Sequence, residues 1–596
     1  MTKKFAAFLT VLLLCVAPLP TTTWAADLEA TPALVDSVDE MVTPTPDESV
    51  EEIRGKVDVE VTIALGDSVD EIKEKVQEAI DGIPSTDDGT VTVTGKNRVE
   101  NEAILGLNIP ANVAVAWDIE PPTLIDKVFE INGIINSIVW GPWMLCLIVG
   151  TGLYLSIVLL FPQLRYFKIS WKQVFDFKQK AGSNDKSISS FAALATAMAA
   201  TVGTGNIAGV ATALNLGGPG AAFWMLVSAF FGMATKFGEV ALAVHFREKD
   251  EHGDWRGGTM YILEKGAGQK WLATAFAVFA FLASFGIGCA VQAKETANGL
   301  SMGFGVDSMY SAIALVILAG LVIIGGLKSL STVTTYLVPF MAIFYILGSL
   351  IVLVLYAAHI PEMIGLMVKY AFEDPMAIPG AIAGWAVSQA IRRGIARGVF
   401  SNEAGLGSAP MVHATANVDH PIRQGLYGIF EVFVDTFIIC AMTALVIMTT
   451  GSLMDPSAVT SEGVRLSGSQ LSLFAFEQGI GTVGKYILSL GLALFSFTTI
   501  LGWYWYGETA ATYLFGVKFK PVMKCLWVVV IFIGAAGADL LGTVGNDFLN
   551  NVWEIADTLN ALMAIPNLIG LLILSGVLRT LVKDFDEKRK SGELKI

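Results

Sequence analysis

The chain has 596 residues, of which 54% are apolar and only 16% are charged. This composition predicts a protein that lies mostly in a membrane, and it excludes an array of soluble domains. The net charge of −15 is uneven, because residues 26–126 hold 24 acidic and six basic residues. The remainder is slightly basic and lacks the clustered basic face of a nucleic-acid-binding protein.

Residues 1–25 have the layout of a secretory signal peptide. Lys3 and Lys4 precede an apolar core, and a small-x-small site ends at Ala25. We therefore expect cleavage after Ala25, with a retained signal anchor as the alternative. Residues 26–55 are acidic and contain two closely spaced prolines, which is typical of a disordered linker.

Residues 56–122 are predicted to form a small acidic α+β domain outside the cytoplasm. Apolar and polar side chains alternate at 57–63 and 90–94 as they do in strands, and further strands are expected at 104–109 and 113–117. Ser68 and Glu71 have capping-box spacing, which predicts a helix to about Ile80. The domain shows no catalytic or ligand-binding pattern, so its expected role is that of a spacer or a docking module for an unknown partner.

Residues 123–596 are predicted to form an all-α polytopic domain with eleven transmembrane helices. Each apolar segment is long enough to cross a bilayer, which takes about 20 helical residues. The segments are residues 140–161, 191–214, 221–245, 272–291, 308–327, 333–357, 378–400, 425–451, 486–515, 525–541 and 552–578. An interfacial helix is expected at 124–138.

Lysine and arginine residues collect on alternate loops between these segments and in the C-terminal tail. By the positive-inside rule those loops and the tail are cytoplasmic. The acidic domain is then on the outer side, as a signal-led exported domain requires. We predict a multi-pass protein of a cell inner membrane with a periplasmic N-terminal domain.

The second segment is interrupted by Gly203 and Gly205, each of which weakens a helix by about 1 kcal/mol relative to Ala. Such glycines can serve close helix packing. An unwound turn at membrane depth is also tolerated where it lines a protein cavity, as in the broken helices of transporters. The glycines alone leave both interpretations open.

The seventh segment is interrupted as well. It contains three arginines, each costing about 2.5–3.5 kcal/mol at a helix centre, and the glycine-containing residues 401–408 follow. A structural pairing of the arginines with buried acids is the alternative. If the first segment is left out of the count, ten segments remain. One broken segment is the first of the ten and the other is the sixth, so each begins a group of five. This arrangement predicts an inverted five-plus-five repeat with discontinuous first and sixth core helices.

The motifs at these breaks resemble the alanine/glycine:cation (sodium) symporter family. They are GTGNIAGVA at 203–211, RGVFSNEAGLGSAP at 397–410 and TTILGWY at 498–504. The resemblance covers about residues 140–578 and does not extend to residues 1–125. It implies a symporter that imports small neutral amino acids, alanine and glycine foremost, with sodium by alternating access.

The resemblance also implies a set of substrate-binding residues on three spans. They are Thr204, Gly205, Asn206, Gln292, Thr499, Ile500 and Trp503. Backbone N–H groups at a half-helix N-terminus suit the substrate carboxylate, and amide or hydroxyl oxygens suit its ammonium.

Sodium is a hard cation that prefers oxygen ligands, by analogy with other hard ions. We expect those oxygens at Thr201, Thr204, Thr498 and Thr499. The alternatives are helix back-bonding by the last two threonines, an interhelical hydrogen bond by Gln292 and ordinary core packing by Trp503.

Several further polar residues near the breaks are interpreted as supports. Asn402, Glu403 and Gly405 are expected to stabilise the second unwound segment. Other acids in the spans are assigned to ion-pair networks or to an intracellular gate. These are Glu239, Asp435 and Glu508.

Four other classes of protein are possible: a proton-coupled symporter, a membrane amino-acid sensor, a channel and an enzyme. The five cysteines and five histidines show no disulfide or metal-binding spacing, and no nucleophile–base motif appears. We therefore expect no enzymatic activity, no cofactor and no metal beyond transported sodium. Symport remains the leading hypothesis.

Overall fold

The computed structural model describes residues 56–63, 69–83, 88–96, 109–110, 113–120, 124–176, 187–373, 386–460 and 465–594. The predicted signal peptide and acidic linker lie outside these residues. Contacts divide the chain into a smaller unit ending at Ile135 and a larger unit beginning at Asn136, and each is described by itself.

The smaller unit contains a three-stranded sheet and one helix. Its elements are β1 (Lys56–Ile63), α1 (Val69–Asp81), β2 (Asp88–Lys96) and β3 (Val113–Glu120). The strands pair in the order β1-β2-β3, and α1 buries Ile72, Val76 and Ile80, which recur one turn apart on one helix face. The helix and the strands expected at 57–63, 90–94 and 113–117 are confirmed. The strand expected at 104–109 falls almost wholly outside the described residues.

All described strands of this sheet run parallel, with Val91 opposite both Val59 and Val115. A parallel pair needs a crossover connection, and α1 supplies it between β1 and β2. This is the pairing of a βαβ unit, whereas an α+β domain typically has an antiparallel sheet. The predicted α+β class therefore needs correction for the strands that the structure describes.

The larger unit is almost entirely helical. Its first helices are α2 (Leu124–Val139, which leads in from the smaller unit), α3 (Pro142–Val158), α4 (Pro162–Arg165), α5 (Phe167–Val174), α6 (Ser190–Thr201), α7 (Val210–Gly217), α8 (Gly220–His245), α9 (Thr259–Tyr261), α10 (Lys270–Phe285), α11 (Val291–Phe304), α12 (Ser308–Ile324) and α13 (Gly326–Leu355). They are followed by α14 (Ile360–Lys369), α15 (Val387–Asn402), α16 (Pro410–His413), α17 (Pro421–Val432), α18 (Ala441–Thr449), α19 (Gly468–Ile480), α20 (Thr482–Phe515), α21 (Lys520–Ile573) and α22 (Ser575–Lys590).

Four π-helical segments interrupt or extend these helices. They are Gly205–Gly209, Ile262–Gly266, Gly286–Ala290 and Phe433–Cys440. Two short β pairs also occur, one parallel between Ile188–Ser189 and Ala416–Asn417 and one antiparallel between Glu248–Lys249 and Trp255–Arg256.

Seven helices of the described residues are long and apolar enough to cross a membrane, or nine if each of two bent pairs counts as one span. The other two predicted spans correspond to α12, which has only 17 residues, and to α15, which carries three arginines. The multi-pass character is clear, whereas the count of eleven and the inverted repeat stay predictions.

One boundary prediction is wrong. Residues 542–551 are expected to be a loop between the tenth and eleventh spans, but helical hydrogen bonding continues through them in α21. Periodicity could not reveal this because the stretch is polar, and a polar stretch ordinarily indicates the end of a span.

Helix α8 is central to the larger unit and packs closely against α15 and α17. A Cβ added at Gly394 or Gly398 of α15, or at Gly425 or Gly428 of α17, would collide with α8. Small residues at helix crossings allow such close approach in membranes. The packing brings the second broken segment beside α8 and near the first.

Candidate functional site

A small pocket lies between the two breaks. Its free volume is about 10 Å³, roughly the space of one water molecule. The residues that line it are Ala200, Thr201, Gly203, Thr204, Gly205, Ile287, Gln292, Phe400, Glu403, Leu406, Thr499, Trp503 and Asn560. This central pocket therefore brings together residues from five separate parts of the chain.

At the first break the chain leaves helical geometry only briefly. Helix α6 ends at Thr201, Val202 is extended, and the π-helical segment begins at Gly205. The two halves of the span are bent by 51°. The Gly203 N–H donates to Asn206 Oδ1 at 2.9 Å, so the asparagine side chain satisfies a backbone group that the bend exposes.

Asn206 does not line the pocket. Its Nδ2 donates to Asp435 Oδ1 at 2.6 Å, and both side chains are fully buried. Asp435 also accepts hydrogen bonds from Ser401 Oγ at 2.9 Å and from Thr436 Oγ1 at 2.8 Å. This carboxylate therefore joins the first broken span to α15.

Asp435 is predicted to belong to an ion-pair network or to an intracellular gate. In the described residues its hydrogen-bond partners are neutral side chains of the two breaks and their neighbours, while Lys236 attracts its carboxylate, so both assignments stay predictions. The available signal was an isolated acid within an apolar span, which marks a functional position by default.

Gln292 faces the pocket from the start of α11. Its Nε2 donates to Thr204 Oγ1 and to the carbonyl of Ile287, both at 3.0 Å. Its Oε1 is buried and has no hydrogen-bond partner in the part of the chain that the structure describes. The interhelical bond weighed as an alternative is therefore present, and it leaves one acceptor free.

The threonines of α20 point in two directions. Thr499 Oγ1 bonds back to the Phe495 carbonyl at 3.0 Å and lies against Gly203, where an added Cβ would collide with it. Thr498 Oγ1 bonds to the same carbonyl at 2.9 Å and lies 3.2 Å from Met341 Sδ, away from the pocket. Back-bonding uses the hydroxyl hydrogen, so the Thr499 oxygen keeps lone pairs that face the pocket.

Of the remaining predicted residues, Thr201 and Trp503 line the pocket and Ile500 does not. Thr201 lines the pocket, and its Oγ1 bonds to the Ala197 carbonyl at 3.3 Å. Trp503 lines the pocket and packs onto Gly288 of the neighbouring π-helical segment. Ile500 is fully buried and is not among the pocket residues.

At the second break the backbone unwinds from Glu403 to Ala409. Three residues have positive φ, namely Glu403 at 55°, Gly405 at 97° and Gly407 at 78°. Such angles suit glycine and are uncommon for glutamate. Glu403 lines the pocket, and its carboxylate accepts a hydrogen bond from Ser408 Oγ.

Side chains from distant helices satisfy the unwound backbone. Glu239 Oε1 accepts from the Gly405 N–H at 3.0 Å, and Asn567 Nδ2 donates to the Gly405 carbonyl at 3.0 Å. Thr259 Oγ1 donates to the Gly407 carbonyl at 3.0 Å. These bonds explain how irregular backbone survives in an apolar environment that offers no water.

Asn402 supports the same segment from within. Its Oδ1 accepts from the Ala404 N–H at 2.9 Å, and its Nδ2 donates to Thr436 Oγ1 at 3.0 Å. Asn402 and Gly405 do not line the pocket. Asn567, which sequence reasoning missed, has no distinctive pattern around it, because its role depends on a contact across 328 residues.

A buried ion pair lies behind the second break. Lys236 Nζ is 3.1 Å from Glu431 Oε1, and both side chains are fully buried. The other Glu431 oxygen is 3.0 Å from His413 Nε2, and Gln424 lies 2.9 Å from His413 Nδ1. No prediction from the sequence covers this pair, although a lysine within an apolar span is a usable signal.

Two larger cavities flank the central pocket along the first broken span. The Arg256 cavity, of about 860 Å³, includes residues 187–189 and Ala192 at the start of that span. The Arg397 cavity, of about 480 Å³, includes Ala208 and Thr212 beyond the break. The pocket residues 200–205 lie between these positions, so the three spaces follow one another along the helix.

Charged side chains surround the Arg256 cavity. Arg256 lies 3.1 Å from Asp250 and 3.7 Å from Glu508, and Lys520 lies 3.9 Å from the same Glu508 oxygen. Burial raises the pKa of Asp250, but hydrogen bonds from the Asp254 and His252 amides and from Arg256 outweigh it and hold that pKa below its ordinary value. The ion-pair network expected of Glu508 is confirmed.

Comparison with known proteins shows which family the chain is similar to. A model of the sodium:alanine symporter family matches residues 125–596. The sodium/alanine symporter AgcS of Methanococcus maripaludis is 44% identical over 471 residues, which are 78% of this chain and 99% of that protein. An uncharacterised transporter of Haemophilus influenzae is 43% identical over 458 residues, covering 76% of this chain and 96% of that protein.

Among solved structures, MhsT in complex with L-phenylalanine is similar at 13% identity and a TM-score of 0.45. The match covers 67% of this chain and 99% of that chain. A likeness at this level is too distant to add to the fold described above.

Proposed function

This chain belongs to the sodium:alanine symporter family, and from that premise we propose that it imports small neutral amino acids, alanine and glycine among them, by symport with sodium. The family consists of transporters, so the chain is a multi-pass membrane transporter and not an enzyme.

The observation that carries the substrate assignment is the free acceptor of Gln292. Its Oε1 is buried beside Gly203 and lacks a hydrogen-bond partner among the described residues. A buried acceptor left without a partner costs about 1–3 kcal/mol, and an ammonium group would remove that cost. The N–H groups at the first break suit the carboxylate of the same ligand.

The size of the substrate follows from what closes the pocket. Trp503 and Phe400 are both large, rigid side chains in its wall, which Thr204 and Gly205 also line. Little space opens without moving an aromatic ring. This supports alanine and glycine over larger neutral amino acids.

Sodium is proposed to bind beside the first break. Thr201, Thr204 and Thr499 line the pocket with hydroxyl oxygens, and Glu403 supplies a carboxylate in the same wall. Thr498 is a weaker candidate because its hydroxyl lies against Met341. A sodium ion entering with a neutral zwitterion adds one positive charge, and the buried carboxylates of Glu403 and Asp435 are suited to balance it.

Alternating access is supported by the order of the three spaces. A pocket with room for about one water lies between two cavities of several hundred Å³, so each cavity can open onto the pocket in turn. The loop charges favour a cytoplasmic Arg256 cavity and an inner-membrane location with the N-terminal unit outside. Sodium drives import only if it binds loaded and empty conformations with different affinity.

The test is uptake of [³H]alanine by proteoliposomes containing the full chain. We expect accumulation with an inward sodium gradient and none when potassium replaces sodium, with competition by unlabelled glycine. Gln292→Leu should raise the KM for alanine about tenfold, because one hydrogen bond to a charged group is lost. Equal uptake in sodium and potassium would refute sodium coupling.

Proton coupling is the second candidate. The buried carboxylates of Glu239, Glu403 and Asp435 in the described membrane body are the observation that favours it. Uptake driven by an inward proton gradient in sodium-free buffer would establish this alternative. A membrane sensor would instead bind alanine without accumulating it.

A further inference from the structure

The Arg397 cavity carries charges of both signs, and none of its residues has a part in the function proposed above. Its charged and polar lining residues include Lys294, Glu295, Asn298, Arg397, Ser469 and Gln470. They come from α11, from α15 and from the start of α19. The cavity is therefore a distinct space at the far side of Phe400 from the central pocket.

Arg397 has hydrogen-bond donors that the protein does not use. Its guanidinium carbon lies 5.3 Å from the centroid of the Phe400 ring. It makes no hydrogen bond or close ion pair with any residue that the structure describes, although the buried carboxylate of Asp557 attracts it electrostatically. A guanidinium held by a ring face keeps its edge free, and that edge binds carboxylates through two parallel hydrogen bonds.

Glu295 presents the complementary group from α11. Its Oε2 is buried and has no hydrogen-bond partner within the described ranges, while Ser469, Asn298 and the charge of Lys294 stabilise the carboxylate otherwise. A carboxylate oxygen in that condition is stabilised by a charged donor such as an ammonium group. A molecule with one carboxylate and one ammonium, which is what an amino acid is at neutral pH, carries a partner for each of the two residues.

Phe400 separates this cavity from the central pocket. Its ring stacks on Trp553, with centroids 6.2 Å apart and planes 9° from parallel. A Cβ added to Gly205 would lie 3.2 Å from the Phe400 ring, so the ring rests against the first break. Phe400 lines the central pocket, while Trp553 and Arg397 line the cavity.

We propose that the Arg397 cavity is a docking site for the zwitterionic substrate, with the substrate carboxylate on Arg397 and its ammonium on Glu295, before the substrate passes Phe400. This inference rests on the proposed function, because it takes the same amino acid as the ligand. Binding of the carboxylate to Arg397 draws the guanidinium toward the cavity and away from the Phe400 ring. Binding of the substrate at this site therefore frees Phe400, the residue that separates the cavity from the central pocket.

The first measurement is equilibrium binding of [³H]alanine to the purified full chain in sodium-containing buffer. We expect two alanine molecules per chain for the wild type and one for Arg397→Gln and for Glu295→Gln. Arg392→Gln, on the same helix but outside the cavity lining, is the matched control and should retain two. Thermal unfolding of every variant reports whether it is folded, and Arg397→Lys keeps the charge if Arg397→Gln does not fold.

The second measurement is alanine uptake by the same proteins. Loss of docking should raise the alanine concentration for half-maximal uptake about tenfold, the effect of one charged hydrogen bond, with an unchanged maximal rate. Because Lys294 and Arg397 together outnumber Glu295, a simple anion is the rival ligand. Binding of ³⁶Cl⁻ that is lost in Arg397→Gln, with one alanine per chain throughout, would overturn the proposal.

The outcomes separate this inference from the function on which it rests. Sodium-dependent uptake with one alanine per wild-type chain would overturn docking and leave symport standing. Two alanines per chain without accumulation in vesicles would overturn symport and leave the docking site. Binding of two alanine molecules per chain by both Arg397→Gln and Glu295→Gln would overturn the assignment of the docking site to Arg397 and Glu295.

Discussion

At the first break the backbone stays close to helical, whereas at the second it unwinds over seven residues. The first has a π-helical segment from Gly205, and no residue between Thr201 and Val210 has positive φ. The second has positive φ at Glu403, Gly405 and Gly407. A π-helical turn can return to α-helix by small shifts, but a left-handed segment cannot.

The hydrogen bonds at the two breaks also differ. At the first, Asn206 accepts from the Gly203 N–H within its own turn, and Thr443 and Ser472 each donate to one π-helical carbonyl, that of Asn206 and that of Ile207. At the second, Glu239, Asn567 and Thr259 reach in from three other elements. The comparison indicates that the second break is a fixed wall of the pocket and that the first is the adjustable one. Substitutions at the second should then lower stability, and those at the first should lower transport.

Asn567→Ala should have the largest effect, because it breaks the fixed wall. It removes the donor to Glu239 and Gly405 and the acceptor for Thr259, and each buried group left unpaired costs about 1–3 kcal/mol. We expect a clearly lower unfolding temperature in detergent and no uptake. Asn136→Ala, which loses a hydrogen bond to Thr558 at the edge of the unit, is the control. An unchanged unfolding temperature for Asn567→Ala would contradict the fixed-wall interpretation.

Asp435→Asn should uncouple the two breaks. The carboxylate accepts from Asn206, Ser401 and Thr436, and an amide in its place removes the charge and keeps only one accepting oxygen for these three donors. We expect uptake at low sodium to fall tenfold or more, which corresponds to about 1.4 kcal/mol for one lost bond. Uptake as a function of sodium concentration measures this, with Asp435→Glu as the charge-retaining control. An unchanged sodium dependence would remove Asp435 from coupling.

Two glycine substitutions compare the walls directly. Gly203→Ala places a methyl group on Thr499 Oγ1 inside the pocket, so we expect uptake to be lost with little change in unfolding temperature. Gly405→Ala forces alanine to φ of 97° and brings its Cβ to 3.2 Å from Leu568, which should lower stability by about 1–2 kcal/mol. A lower stability of Gly203→Ala, together with a loss of uptake but not of stability in Gly405→Ala, would show that the first break is the fixed wall and the second is the adjustable one.

Asp584→Asn should have the smallest effect, because this residue lies outside both walls. Hydrogen bonds from His420 and then Lys588 hold the pKa of Asp584 below its ordinary value. A depressed pKa stabilises the fold above the unfolded value of about 3.9, and that contribution is lost as pH falls further. We expect a stability difference below about 1 kcal/mol at pH 7 that disappears near pH 3, since the pair is exposed. Uptake at pH 7 should equal that of the wild type.

The sequence was informative wherever the signal was local. Apolar stretches of about 20 residues predicted most of the helices, and paired glycines predicted both breaks. Alternation and a capping box predicted the helix and strands of the smaller unit. The family resemblance brought Thr204, Gln292, Thr499 and Trp503 together, and all four line one pocket.

The errors have a common cause. Thr498 and Thr499 are adjacent in the chain, and only helix rotation decides which hydroxyl faces the pocket. The hydrogen-bond partners of Asp435, Asn206 and Ser401, come from two other segments, and no local pattern indicates them. The loop expected at 542–551 is helical, because polarity marks the end of an apolar run and not the end of hydrogen bonding.

The sequence by itself therefore determined that this is a membrane transporter of a known family and where its helices break. Both properties depend on composition and motifs within about 20 consecutive residues. Only the tertiary structure decided how the broken segments are held. Glu239, Asn567 and Gly405 lie 162 to 328 residues apart along the chain and meet in one hydrogen-bonded group. Which polar groups find each other at that range depends on helix packing, and no local pattern records it.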